Sequence, residues 1–295
     1  MLVRDDAALA AAGSVDRVRR ADGAESFGWS VVLPFFNEAR LLPATLAGLA
    51  AQTARAFVVL VDNGSTDDSG AVAERACSAL GLPYRLVHEA TPGKVHALHA
   101  GLQHVITRFV ATCDADTWYP ADYLLEAERL LRQRGCVVAG AFYVGPEPTG
   151  TALARAGRAM TRKARLLPRQ SHTGGAGQAF RTDALRAAGG FDPKRWNYVL
   201  EDHEIIHRIT RYGDMRYDTR LWCAPSPRPR DRASIRWNLV ERLVYSAAAP
   251  WAGDWFFYRF LGTRLRARQL TSDRIRERRF QGAGEDGIAA TYAMC

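Results

Sequence analysis

Apolar residues change their spacing along the chain in a regular way, and that rhythm predicts the first half element by element. Residues 1–27 are small, charged and aperiodic, so they read as a flexible lead. Residues 30–33 form a short apolar strand halted by Pro34. A helix follows, with Pro43 in its first turn and Leu42, Leu46 and Leu49 on one face. Residues 57–61 are an unbroken apolar run, the mark of a strand buried on both sides. In the turn VDNGSTDD, Ser65 or Thr66 caps a helix with Asp67 and Asp68 in its first turn and Val72, Ala76 and Leu80 on its inner face. Residues 84–88 are a third strand, 94–105 a third helix, and 109–113 a fourth strand ending in DAD. Pro120 opens a helix that turns Leu124, Leu125 and Leu131 inward, and residues 136–144 return as strand.

Strands alternating with helices predict an α/β fold with a Rossmann-like, mostly parallel sheet covered by helices. Right-handed crossovers bring the strands' C-terminal ends to one edge, where open α/β sheets bind ligands. That edge collects PFFNE, VDNGSTDD and DADTW, all polar or acidic. The second half is less regular. Residues 151–167 are helical and basic, HTGGAGQAFR is a glycine-rich loop entering a short strand, and residues 201–212 are a helix with Ile205, Ile206 and Ile209 inward. From Pro225 the chain is rich in Pro and Arg, then aromatic and amphipathic through WNLVERLVYSAAAPWAGDWFFYRFLG, with a loose tail after about residue 280.

Charge divides the same way. Residues 1–150 carry 13 Lys and Arg against 17 Asp and Glu, and residues 151–295 carry 27 against 14. The basic half suits a phosphate-bearing acceptor, an anionic membrane surface or nucleic acid, or is simply an Arg-rich surface. Five cysteines without a CxxC pair read as free thiols of a reducing compartment. No signal peptide and no run of about eighteen apolar residues is present, so the expected place is cytoplasmic.

Several residues carry candidate chemistry. Asp114 and Asp116 flank one residue just past a buried strand; they repel unless a cation lies near, and hard Mg2+ or Mn2+ suits such oxygens and diphosphates. The alternative is a turn in which an Asp caps the next helix. Asp62 offers a carboxylate to a base imide N–H, which favours uracil or thymine over cytosine, or else makes only an Asx-turn. Pro34, Asn37 and Glu38 leave the first strand toward the same edge, or form a solvated turn. Lys94 opens a helix and pairs with phosphate, or is a surface lysine. Glu201 and Asp202 begin a helix, where an ionised Asp acts as general base on a hydroxyl or merely caps the helix. Gly174 and Gly175 permit close backbone approach to a ligand. Dinucleotide, P-loop, Ser/His/Asp and Cys/His metal patterns are absent.

As an ordered set, SVVLPFFNE, VVLVDNGSTDDS, TPGKVHALHAGL, FVATCDADTWYP and HTGGAGQAFR…GGFD…LEDHEI resemble the family 2 glycosyltransferases of GT-A fold over roughly residues 29–212, with Asn63 where a second Asp is frequent. The resemblance implies metal-dependent transfer of a sugar from a nucleotide-diphosphate donor, UDP-sugar favoured, usually with inversion. It places Asp62 on the base, Asp114 near the ribose or donor sugar, Asp116 on the metal, and Asp202 as catalytic base. Residues 28–145 become a donor-binding half. Residues 146–225 become an acceptor and catalytic-base half of the same domain, bearing Gly174, Gly175 and Glu201. Residues 226–295 become a basic, aromatic, helical extension.

One departure from the family matters. Processive members carry QxxRW, whereas this chain has Ala233 in place of the Gln, ahead of Arg236 and Trp237. That points to a non-processive enzyme adding one sugar, with Arg236 and Trp237 bordering the acceptor or simply packed. The acceptor expected is a hydroxyl, lipid-linked or on a cell-envelope glycan precursor. The extension leaves room for a peripheral contact at the inner face of a membrane, or else forms core or a dimer interface. The rival reading is a catalytically silent nucleotide-binding or scaffold protein of the same fold. No RNP-like string, zinc spacing or obvious helix-turn-helix supports nucleic-acid binding, and the GGxGTR opening of a nucleotidyltransferase is missing.

Overall fold

The computed structural model describes residues 27–145, 148–168, 171, 174–226 and 238–274. β1 (Trp29–Phe35), β2 (Ala56–Asp62), β3 (Tyr84–His88) and β4 (Phe109–Thr112) are joined by α1 (Leu42–Ala50), α2 (Ser69–Leu80) and α3 (Lys94–Leu102). They pair in parallel in the order β3-β2-β1-β4. The chain continues through β5 (Thr117–Trp118), α4 (Tyr123–Leu131), β6 (Cys136–Tyr143), α5 (Gly150–Leu166), β7 (Gln178–Arg181), α6 (Thr182–Ala187), α7 (Glu201–Ile209) and β8 (Asp214–Pro225). The full order is β3-β2-β1-β4-β7-β6-β8-β5. β7 runs antiparallel to both β4 and β6, while β6 and β8 are parallel. The result is an α/β sheet flanked by helices, four of whose seven pairings are parallel.

Alternate residues of each strand feed two apolar layers, as the pleat requires. Val31 and Leu33 join Leu42, Leu46, Ala73, Cys77, Leu124 and Leu130 on one face. Val32 joins Val59, Val61, Leu98, Ile205, Ile206 and Ile209 on the other. At Gly101 a Cβ would lie 2.5 Å from Val32 Cγ1, so only glycine lets α3 sit this close to the sheet.

Three local expectations are corrected. β1 does not stop at Pro34 but runs through it to Phe35. Pro34 lies beyond the stretch of β1 paired with β4, whose last match is Val32 with Thr112, so its missing N–H interrupts no ladder. α2 is rotated from its expected face: Ser69, Ala73 and Cys77 are buried, Val72 and Ala76 are half-buried, and Leu80 is exposed. Small side chains pack inward there because α2 also lies against α1. Leu125 is exposed, and Tyr123, Ala127 and Leu130 take the inward positions of α4.

After Asn238 the chain forms α8 (Leu239–Asp254), a π-helical turn over Trp255–Leu261, and α9 (Gly262–Ala267). Asn238 and Glu241 make a reciprocal capping box, and fully buried Glu241 also accepts from Arg264 and Arg268. Pro250 cannot donate within the helix, and the backbone breaks from helical geometry two residues later at Ala252. The aromatic run divides: Phe256 and Phe257 join Trp196, Leu261, Leu265 and Leu270 in a third apolar cluster, whereas Trp251 and Trp255 are exposed. Among the described residues no helix is long and apolar enough to cross a membrane. Cys77, Cys113, Cys136 and Cys223 are buried free thiols, and burial pushes Cys77 up to about 12.

Candidate active site

The ends of β1 and β2 are tied together by side chains. Asn37 adopts a left-handed backbone (φ 53°), accepts from Thr66 N–H at 2.8 Å, and its own N–H donates to Ser65 Oγ at 3.1 Å. The Glu38 N–H donates to Ser69 Oγ at 2.8 Å. Ser65 and Thr66 therefore anchor the Pro34–Asn37–Glu38 loop and do not cap α2. Asp68 stands at that cap, and its side chain makes no capping hydrogen bond. Asp62, mostly buried, accepts the Ser65 N–H at 2.8 Å with one oxygen, while the other lies 3.8 Å from His88 Nδ1.

Asn63 carries the connection onward. Its amide donates to the carbonyls of Glu89 (3.0 Å) and Thr91 (2.7 Å), and its oxygen accepts the Gly93 N–H at 2.9 Å. An Asp in its place has no hydrogens for two carbonyls, which accounts for the amide at this position. The next residue, Lys94, reaches across the cleft: its Nζ lies 2.6 Å from Asp114 Oδ1 and 3.6 Å from Glu201 Oε1. Burial by itself lowers the Lys94 pKa, but Asp114, Glu201 and Asp202 more than offset it and hold the ammonium above its ordinary value. Lys94 is thus engaged with carboxylates that follow β4 and begin α7, rather than standing as a plain surface lysine.

The antiparallel insertion of β7 brings the glycine loop to the same place. Thr112 Oγ1 donates to the Gly175 carbonyl at 2.8 Å. The Asp114 N–H donates to the Tyr119 hydroxyl, which in turn donates to the Ala176 carbonyl at 3.0 Å. A Cβ on Gly174 would sit 2.8 Å from Tyr143 Oη and 3.3 Å from Asp202 Oδ2, and one on Gly175 3.5 Å from Asp202 Cβ. The loop therefore lies directly on the start of α7, where Asp202 is held. Asp202 Oδ1 accepts the His203 backbone N–H at 2.9 Å and lies 2.9 Å from His203 Nδ1. Leu200 precedes the helix in a left-handed conformation (φ 67°), an unusual one for a branched residue. Burial, followed by the opposing pull of Lys94 and the repulsion of Asp202, leaves the Glu201 carboxyl raised above its ordinary pKa.

Lys94, Asp114, Gly174, Gly175, Glu201 and Asp202 are thus brought together. Asp62, Asn37 and Glu38 adjoin them through Asn63. Asp116 is buried beside Thr45 and Leu41 on the α1 side, and its carbonyl accepts the Ser226 N–H at 2.8 Å. Arg236 and Trp237 lie outside the described residues. Sequence reasoning overlooked Tyr119, Tyr143 and His203. Tyr119 stood within the DADTWYP string, and His203 within LEDHEI, but only the fold shows what their side chains reach. Among the described residues, no three Asp, Glu, His or Cys side chains converge as a complete metal-ligand set.

Residues 30–188 match the sequence pattern of Glycosyl transferase family 2. This chain belongs to that family. Its solved neighbours share the GT-A arrangement of the sheet. An uncharacterized glycosyltransferase of Mycobacterium tuberculosis is 45% identical over 87 residues, which cover 30% of this chain and 36% of the relative. The uncharacterized glycosyltransferase YaiP of Escherichia coli is 29% identical over 249 residues, 73% of this chain and 59% of YaiP. The matched stretch thus spans less than two thirds of either relative. The mannosyltransferase PcManGT from Pyrobaculum calidifontis, solved with GDP-Man and Mn2+, superposes with a TM-score of 0.60 at 21% identity, covering 82% of this chain and 73% of that one. TarS 1-349 of S. aureus, solved with UDP-GlcNAc, gives 0.54 at 17% identity, covering 80% and 72%.

Proposed function

We propose that this family 2 glycosyltransferase moves one sugar from a nucleotide-diphosphate donor, with a UDP-sugar favoured, to a hydroxyl acceptor with inversion. The observation that carries the reading is that Lys94 meets both Asp114, from the end of β4, and Glu201, beside Asp202. A donor seated at the strand ends lies against the carboxylate suited to take the acceptor proton.

In this scheme Pro34, Asn37, Glu38 and Asp62 frame the nucleoside. The Asp62 oxygen that lies 3.8 Å from His88 accepts an imide N–H of the base, which uracil offers. Guanine offers a comparable N–H, and the solved neighbours include one with a guanine and one with a uracil nucleotide, so nucleotide choice is settled by titration. Asp116 would hold Mg2+ or Mn2+ beside the donor diphosphate, and the cation would supply charge neutralisation for the leaving group. Asp114 faces the ribose or donor sugar, and Lys94 exchanges a carboxylate for a phosphate oxygen when donor binds. The acceptor oxygen forms a bond to the anomeric carbon as the bond to the diphosphate oxygen breaks, and its proton passes to Asp202. His203 holds Asp202 Oδ1, and Asp202 Oδ2 lies on the side of Gly174. Gly174 and Gly175 border that acceptor.

Isothermal titration with UDP, GDP and dTDP, with and without Mn2+, tests the donor site. The expected result is Mn2+-dependent binding of one nucleotide, weakened by two orders of magnitude or more in Asp116→Ala, in line with about 3 kcal/mol for a lost charged partner. Absence of binding to all three would return the chain to the silent, scaffolding alternative.

A further inference from the structure

Five of the ten large apolar side chains exposed among the described residues fall between positions 239 and 255. Their spacing is helical. Leu239, Leu243, Ala247 and Trp251 recur every four residues along α8, and Trp255 continues the series past the kink. Leu239 is 73% exposed, Leu243 62% and Trp251 91%, so this row faces away from the third apolar cluster. Val240 widens it. The opposite face of α8 is spent inside: Glu241 is fully buried and the Tyr245 ring packs 5.8 Å from His203. α8 is therefore amphipathic in an inverted sense, with apolar residues on both its inner and outer faces. Water is a poor solvent for the outer one.

The surface next to this row is strongly basic. α5 carries Arg155, Arg158, Arg162, Lys163 and Arg165, all exposed, and no acidic residue. Among the described residues none of the five pairs with a carboxylate. Arg242, itself exposed on α8, sets a cation beside Leu239 and Leu243 in the apolar row, and its charge also acts on Lys163 of the basic helix. Leu166, at the end of α5, is 77% exposed. Apolar side chains bordered by unpaired Arg and Lys match an anionic lipid surface. Leu and Trp enter the boundary between headgroups and acyl chains, and guanidinium groups meet phosphates. A second copy of this chain would set the α5 cations of the two copies against each other, which disfavours a self-associating interface.

We propose that the outer face of α8 and the basic face of α5 dock the enzyme on an anionic phospholipid membrane. The docked helix is the one whose inner face holds Tyr245 against His203, so the lipid surface lies about one helix diameter from Asp202. A membrane-borne hydroxyl acceptor then arrives at the proposed base from the lipid side; this last step, unlike the docking itself, rests on the assignment of Asp202.

Co-sedimentation with vesicles of phosphatidylglycerol and phosphatidylcholine, against vesicles of phosphatidylcholine alone, tests the docking. The full chain is expected to partition onto the anionic vesicles and to be released at about 1 M salt, where the Debye length falls to about 3 Å. L243E/W251E and, separately, R158E/R162E are expected to weaken partition at least about tenfold. Both variants alter exposed positions, and far-ultraviolet circular dichroism checks that each is folded. Partition that ignores both variants, equal binding to neutral vesicles, or no partition by the wild type overturns the proposal. So does a wild-type dimer in sedimentation velocity that L243E/W251E dissociates. The nucleotide titration separates the two readings: nucleotide binding without vesicle binding removes the docking surface alone, and vesicle binding without nucleotide binding removes the donor site alone.

Discussion

Glu201 is a carboxylate placed where its charge is unwelcome. Its pKa is raised chiefly by burial, with Asp202 adding repulsion and Lys94 opposing both. A raised carboxyl binds its proton more tightly folded than unfolded, so stability falls as pH rises from the ordinary Glu pKa through the folded value, and the penalty persists above it. Glu201→Gln is accordingly expected to raise the Tm at pH 7 and to change it little near pH 4, in parallel thermal melts. The same variant removes a partner of Lys94 and is expected to weaken nucleotide binding, the usual exchange of stability for function at a strained site. Asn63 illustrates the opposite case, in which a polar residue is fully satisfied. Its two donated and one accepted bonds hold the loop that delivers Lys94.

At the scale of elements, α7 is the piece that everything else must fit. Its buried Glu204 receives two bonds of 2.7 Å from Arg208, plus the Tyr258 hydroxyl from the π-helical turn at 2.6 Å. Arg208 also donates to the carbonyls of Ala188 and Gly190. On the outer turn, His207 meets Asp254 at 2.8 Å and stacks on Phe257, while a Cβ on Gly253 would lie only 2.2 Å from its ring. Gly253→Ala is therefore expected to lift α8 from α7 and destabilise the protein by about 1–3 kcal/mol, the usual cost of overpacking. Urea denaturation measures this. Adding His207→Ala to the same chain should recover part of the loss, because it removes the atoms that the new methyl group strikes.

At the scale of the molecule, the two halves of contrasting charge share one sheet. β4 from the acidic half pairs with β7 from the basic half, and β6 pairs with both β7 and β8. The C-terminal segment returns to the N-terminal half as well, where Ser272 accepts the Val95 N–H at 3.2 Å and donates its own N–H to Asn197. No seam is left along which one half can open alone. Thermal unfolding followed by tryptophan fluorescence and by far-ultraviolet circular dichroism is expected to give one coincident transition. Two resolved transitions would show that the boundary near residue 146 separates independently folding units.

Much of this was legible in the chain itself. The continuous apolar run at positions 57–61 identified a strand buried on both faces, because a strand covered by helices on each side has no polar face to show. Once the alternation of strand and helix was recognised, the gathering of PFFNE, VDNGSTDD and DADTW at one edge followed from handedness alone. What the sequence could not decide were contacts between residues distant along the chain. The face of α2 depended on α1, the antiparallel β7 on pairing with residues 38 or more positions away, and the bond of Lys94 to Asp114 on two separate strand–helix connections. The aromatic run around residues 251–258 divided into core and surface for the same reason. Local periodicity records which positions are apolar; which of them meet a partner is decided only when the whole chain has packed.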